Sequence, residues 1–292
     1  MAPQSFLYPG AVKTRRPRDQ KDGVEDDLDL DRSARFLSAE LPLDAELLYI
    51  GGLAAILYLV GLALDWHLLR LLSKAWPVVA MARWVLSQAR EQKRPELNAV
   101  AWALMLGALG DLLLEIGPAF FVLGAGSFLV GHLFYLQALH RQTVSMHWVR
   151  ALPGLVLAGG VVGILVPEVG PRLAIALGVY ALALALVIFR AAARVGSPKA
   201  YPFWARMGLL GAAFFALSDA VLAIDRFHTE IPGARYVVIA TYWTAQALLA
   251  ASLVRGAVAW TPPLATEDTT PLANEPVSAP ITEPVAPSDD DA

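Results

Sequence analysis

The sequence predicts an all-α membrane protein: a polytopic bundle of eight transmembrane helices. Of its 292 residues, 57% are hydrophobic and 17% charged, and the mean hydropathy is +0.52. A water-soluble domain of this length rarely carries so few charges. Apolar stretches of roughly twenty residues, long enough at ~1.5 Å per residue to cross ~30 Å of hydrocarbon, recur between Ala45 and Val258.

The elements follow in order. Residues 1–44 carry KTRRPR and then EDDLDLD, without the apolar core of a signal peptide, and read as an N-terminal cytoplasmic arm. Helix one covers 45–64 and stops at Asp65. Helix two, 68–88, gives way to the basic run ending at Lys93 and Arg94. Helices three (97–117) and four (119–139) meet at Gly117-Pro118. Helices five (148–166) and six (171–192) are parted by Pro167 and Gly170-Pro171, and helices seven (203–224) and eight (235–258) by Ile231-Pro232-Gly233. Proline lacks the N–H that a helix interior needs and glycine favours turns, so these are stops. Trp66, Trp148, Trp204 and Trp260 fall near the ends, where an interfacial aromatic belt belongs. Residues 259–292 hold seven prolines, seven acidic residues and no Lys or Arg, a composition that predicts a disordered tail.

Basic residues set the orientation. Arg90, Lys93 and Arg94, then Arg141 and Arg150, then Arg190, Arg194, Lys199 and Arg206 flank three turns on one side of the bundle. The positive-inside rule places that side, and both termini, in the cytoplasm; the expected location is a cell membrane of the bacterial inner-membrane kind.

Two carboxylates interrupt the apolar spans: Asp111 on helix three and Asp219 on helix seven. Charge in hydrocarbon is costly, so intramembrane acids mark a polar cavity, an ion path or catalysis. Their corresponding late positions, four helices apart, suggest two parallel four-helix repeats. Lys74, Asp111, Asp219 and Tyr242 all fall roughly 8 to 11 Å from the non-cytoplasmic edge, a depth that permits one pocket. Lys74 also suits a structural ion pair or snorkelling. Glu115 shares the face of Asp111 one turn nearer the edge, where solvation at a pocket mouth and chemistry are both open. His132 lies on a stripe with Phe128 and Tyr135, suited to proton transfer or to packing, and about 10 Å deeper than Asp111, so that a water or a long substrate would have to connect them. Tyr242 and Gln246 offer a hydroxyl and an amide to one wall, or act as interhelical glue. Gly107 and Gly110 beside Asp111, and Gly124, Gly126 and Gly131 on helix four, allow close helix approach.

Other chemistries lack their motifs. There is no cysteine, hence no thiolate site or disulfide. No G-x-S-x-G, H-E-x-x-H or Walker-type loop occurs, and no His/Asp cluster has metal-ligand spacing, so no metal or cofactor is expected. The basic run in the arm is too short and too quickly followed by acid to predict nucleic-acid binding.

The ordered elements SKAWP (Lys74, Pro77), LGALGD (Asp111), the series Phe120, Gly124, Phe128, His132 and Tyr135, FFALSD (Asp219) and YWTAQ (Tyr242, Gln246) resemble the YhhN/TMEM86 family of membrane proteins. The resemblance covers the helical region but not the arm or the tail. Ala75-Trp76 stands where the family pattern has Pro directly after Lys. Characterised members are lysoplasmalogenases, so the resemblance implies a lysoplasmenylethanolamine or lysoplasmenylcholine substrate. Cleavage of its vinyl ether would give a fatty aldehyde and the glycerophospho-base. It also implies site roles for Lys74, Asp111, His132, Tyr135, Asp219, Tyr242 and Gln246.

The residues suit that chemistry: one carboxylic acid protonates the vinyl β-carbon and a second carboxylate stabilises the oxocarbenium-like centre and directs water. Either Asp fits either role, with Asp111 the better acid because Gly107, Gly110 and its apolar surroundings favour a protonated form. Two readings compete with hydrolysis: a transporter or channel that uses Lys74, Asp111 and Asp219 as a proton or ion path, and a noncatalytic lipid-binding scaffold.

Overall fold

A computed structural model describes residues 47–143 and 148–257. The expected N-terminal arm and acidic tail lie outside the described residues. Within them the chain is helical. A π-turn, Leu47–Gly51, leads into α1 (Gly52–Ala63). Then come α2 (His67–Ser73), α3 (Trp76–Glu91), α4 (Asn98–Ile116), α5 (Phe121–Arg141), α6 (Leu152–Leu165), α7 (Pro171–Arg194), α8 (Pro202–Phe227) and α9 (Ala234–Arg255).

Six of these segments are long and apolar enough to cross a membrane: Pro95–Ile116, Pro118–Arg141, Trp148–Glu168, Pro171–Arg194, Pro202–Phe227 and Ala234–Arg255. They correspond to the third through eighth expected helices. The first expected helix is a shorter apolar segment, Tyr49–Ala63. The second is not continuous. It breaks at Lys74 and Ala75, because Pro77 has no N–H to donate to the Ser73 carbonyl and its ring crowds that turn, so α3 restarts with proline in its first turn.

The helices form a closed ring. α3 packs on α4, α4 on α5, α5 on α7, α7 on α8, α8 on α9, and α9 returns to α3. α1 lies against α3 and α2 against α4, while α6 covers α7 and α8. Large apolar side chains on the outside, such as Leu53, Val122, Val156 and Ile175, are exposed, whereas Tyr135, Leu104, Phe215 and Leu249 are buried at the centre. An apolar exterior round a small-residue and aromatic interior is the arrangement lipid requires, and the protein is an integral membrane protein.

The end of the bundle holding the C-terminus of α7 is closed by a buried guanidinium. Arg194 is fully buried and donates to Ser252 Oγ (2.6 Å), Gln142 Oε1 (2.7 Å) and the Ser252 carbonyl (3.1 Å). Gln142 in turn donates to the Leu253 carbonyl, and Arg94 to that of Val254. These bonds tie the ends of α5, α7 and α9 together and satisfy carbonyls that would otherwise be stranded.

Candidate active site

At the opposite end the ring opens. The turn after α1, the break before α3, the α4–α5 junction and the α8–α9 turn surround a polar cavity of about 390 Å³. Lys74, Asp111, Asp219 and Tyr242, expected at one depth on four separate segments, all line it, and so does Glu115. A second, mainly apolar cavity of about 220 Å³ runs between α5, α6, α7 and α8. Leu114, Phe121, Phe128, Leu222 and Asp219 belong to the walls of both. Asp219 is therefore at the junction of the two, while Asp111 faces only the polar one.

Asp111 is 3% exposed. Behind it runs a file of hydrogen bonds with one direction: Tyr135 donates its hydroxyl proton to Gln246 Oε1, Gln246 Nε2 donates to the Tyr242 hydroxyl at 3.1 Å, and Tyr242 is hydrogen-bonded to Asp111. Each member fixes the rotamer of the next, as a buried network does when every partner is supplied. The other Asp111 oxygen, Oδ2, is buried without a partner among the described residues. It is an acceptor left for something in the cavity. Gly107 makes the file possible, since a Cβ there would sit 2.7 Å from Gln246 Nε2 and 2.8 Å from the Tyr242 hydroxyl. Gly110 seats the Phe128 ring, and Gly131 lets α5 approach the Ala103 carbonyl. Gly126 has open space beside it and lines the apolar cavity.

Asp219 Oδ2 accepts a 2.7 Å bond from the Tyr180 hydroxyl of α7. His132 Nε2 is 4.0 Å from the same oxygen. The imidazole is 1% exposed and packs edge-on between Phe215, at 4.6 Å, and Tyr180, at 5.2 Å. The expectation that His132 lies about 10 Å deeper than the acidic layer is corrected for Asp219, which His132 approaches to 4.0 Å without a hydrogen bond. Axial rise counted from helix boundaries takes no account of tilt or of side-chain reach across the ring. His132, Tyr135 and Gln246 do not line the polar cavity; they stand behind the residues that do.

Glu115 is a hub at the mouth. It accepts from Arg70 Nε at 2.8 Å and Lys74 Nζ at 3.2 Å, and His67 Nε2 lies 2.8 Å from its carbonyl. Arg70 also donates to Asp65 at 2.7 Å and holds that exposed carboxyl below the usual carboxylate range through this bond. Lys74 thus forms an ion pair within the wall, as one of its two expected roles required, and its ammonium stands 5.8 Å over the Tyr58 ring.

Several site residues escaped the sequence reading. Tyr180 is a lone hydroxyl in the apolar α7, and its spacing carried no sign of the aspartate on another helix. Arg70 precedes Lys74 by four residues and would have shown the same helical face. Arg226 and Arg235 flank the α8–α9 turn and both line the cavity. Among the described residues no group of three His, Cys, Asp or Glu side chains could hold a metal ion.

The chain is similar to several known proteins. The protein from Sus scrofa named lysoplasmalogenase TMEM86B is 36% identical over 156 residues, which is 52% of this chain and 61% of that protein. The Homo sapiens lysoplasmalogenase TMEM86B is 32% identical over 194 residues, 64% of this chain and 76% of its own length. The human lysoplasmalogenase TMEM86A is 29% identical over 162 residues, 55% of this chain and 67% of its own. No solved structure matches the chain. Residues 69–253, from the turn before Lys74 to the last turns of α9, match the YhhN family and include both aspartates and most of the residues that line the two cavities, and the chain belongs to that family.

Proposed function

We propose that this protein is a lysoplasmalogenase, which adds water across the vinyl ether of a lysoplasmalogen to release a fatty aldehyde and a glycerophospho-base. The observation that carries this reading is the shared wall at Asp219. A lysophospholipid has one long chain and one polar head, and the vinyl ether lies between them. The apolar cavity suits the chain, the polar cavity suits the glycerol and head group, and the carboxylate stands where the two parts join. The names of the relatives support the same substrate class.

In this pose the carbon end of the vinyl ether faces Asp219 and the oxygen end faces Asp111, which reverses the acid assignment favoured by the sequence. Asp219, as the carboxylic acid, gives its proton to the β-carbon, and an oxocarbenium centre forms at the α-carbon. Water adds there as Asp111 takes one of its protons, giving a hemiacetal. On collapse the hemiacetal hydroxyl returns a proton to Asp219, the C–O bond to glycerol breaks, and Asp111 protonates the leaving oxygen. Both acids end as they began. Tyr242 aims Asp111, and Tyr180 holds Asp219, with His132 packed beside that carboxyl at 4.0 Å.

The transporter reading needs a polar path to the other face. Below the chamber the bundle is filled by Tyr135, Leu139, Leu249 and Leu253, each at most 1% exposed, and by the Arg194 clamp. This packing favours hydrolysis over an ion path. The test is direct: purified protein in detergent, without added metal or nucleotide, should release long-chain aldehyde from lysoplasmenylethanolamine or lysoplasmenylcholine. Product no greater than that of heat-inactivated protein with both head groups would reject the activity.

The finer topology belongs to the same proposal. Leu47–Ala63 and the broken α2–α3 pair complete eight passages, with both termini cytoplasmic and the chamber toward the other face. Two parallel halves are supported by the ring itself, in which α3–α4–α5 and α7–α8–α9 repeat the same neighbour order, with α1–α2 and α6 outside. Single cysteines at Lys93 and Gly170 should react with an impermeant thiol reagent from opposite faces of the membrane; labelling from the same face would overturn this topology.

A further inference from the structure

We propose that Arg226 and Arg235 form the phosphate-binding site for the lysophospholipid head group. The inference rests on the proposed function and specifies how that substrate is held.

Four permanent cations line the polar cavity: Arg70, Lys74, Arg226 and Arg235. Two are already engaged, since Arg70 bonds Glu115 and Asp65 and Lys74 bonds Glu115. Of the two acids near them in sequence, Asp225 uses Oδ1 to accept the backbone N–H of Ile231 and so pins the α8–α9 turn, and Glu230 is exposed. Among the described residues Arg226 and Arg235 have no ion pair. Arg226 is held by stacking, its guanidinium 5.5 Å over the Phe121 ring, and Phe121 is in the wall shared with the apolar cavity. Arg235 enters from the first turn of α9, beside Ala234, which also lines the chamber. The two guanidinium groups come from opposite sides of one turn, with donor forks suited to a tetrahedral dianion or a phosphodiester. An unpaired positive charge at the rim, above buried acids whose chemistry consumes a vinyl ether, fits a molecule whose phosphate stays near the interface while its chain descends.

The same geometry predicts a preference for the phosphate-bearing substrate. A 1-alkenylglycerol presents the same vinyl ether and chain but no phosphate, so it would leave both arginines without a partner. Discrimination between the two substrates therefore reads the arginines, separately from the acids.

The test compares Arg226→Gln, Arg235→Gln and the double variant with the unaltered protein, using lysoplasmenylethanolamine and 1-alkenylglycerol of one chain length. The ratio of kcat/KM for the phosphate-bearing over the phosphate-free substrate is expected to fall about tenfold for each arginine, as for loss of a charge-assisted bond. An unchanged ratio in the double variant overturns the assignment. A second measurement does not depend on turnover. The uncleavable 1-O-alkyl lysophosphoethanolamine should raise the Tm of the unaltered protein more than 1-O-alkylglycerol does, and the double variant should lose that difference. If neither vinyl ether yields aldehyde, the proposed function fails while the Tm arm still decides the phosphate site. Equal stabilisation of the unaltered protein by the two ethers overturns the site even if hydrolysis is found.

Discussion

Replacing Asp219 by Asn is expected to lower aldehyde release by on the order of 10²–10⁴-fold, the range over which a positioned proton donor acts. Asn keeps the size of the side chain and can still accept from Tyr180, so the 2.7 Å bond and the packing of His132 need not change. It cannot deliver a proton to carbon. The loss should therefore appear in kcat, with little change in KM, because the chain and head group are held elsewhere. Asp111→Asn is expected to fall in the same range, and the double variant should lose far less than the product of the two, since the acids act in one proton cycle. Near-native turnover in Asp219→Asn with the protein folded and membrane-inserted would remove Asp219 from the chemistry. A rise in KM alone would make it a binding residue.

Glu115→Ala is expected to destabilise the protein by about 3–5 kcal/mol, the usual loss when one member of a buried ionic cluster is removed. The side chains of Arg70, Lys74 and Glu115 are only 7%, 12% and 10% exposed. Removing the shared carboxylate leaves two cations facing each other in a poorly solvated wall, with Asp65 able to relieve Arg70 alone. Lys74→Met in the same background should recover part of the loss by removing the stranded ammonium. Thermal unfolding in detergent measures both. A loss below about 1 kcal/mol would mean that the cluster behaves as a solvated surface pair.

Much of the site was legible before any coordinates. Asp111 and Asp219 announce themselves because hydrocarbon penalises charge wherever it falls along a span. Tyr242 and Gln246 are legible as a pair because residues four apart share a helical face, and the structure joins them by a hydrogen bond. Lys74 lines the same cavity as the two aspartates, and the break beside it follows from Pro77, which opposes a straight helix there. His132 shows the opposite limit: a depth counted along its own helix does not reveal that it packs 4.0 Å from Asp219 on another.

The sequence by itself determined that the chain is helical and membrane-embedded, where most spans begin and end, and which ionisable groups lie deep. These follow from local rules: the length of an apolar run, the missing N–H of proline, the 3.6-residue period and the cost of burying charge. Only the tertiary structure decided that Tyr180 bonds Asp219, that Arg70 and Lys74 share Glu115, that Arg226 and Arg235 face the chamber, and that Asp219 stands between a polar and an apolar cavity. Each depends on the order of helices round the ring and on the rotation of each about its own axis. No period within one helix encodes those two quantities, because they are set by how glycine, alanine and aromatic surfaces from different helices fit together.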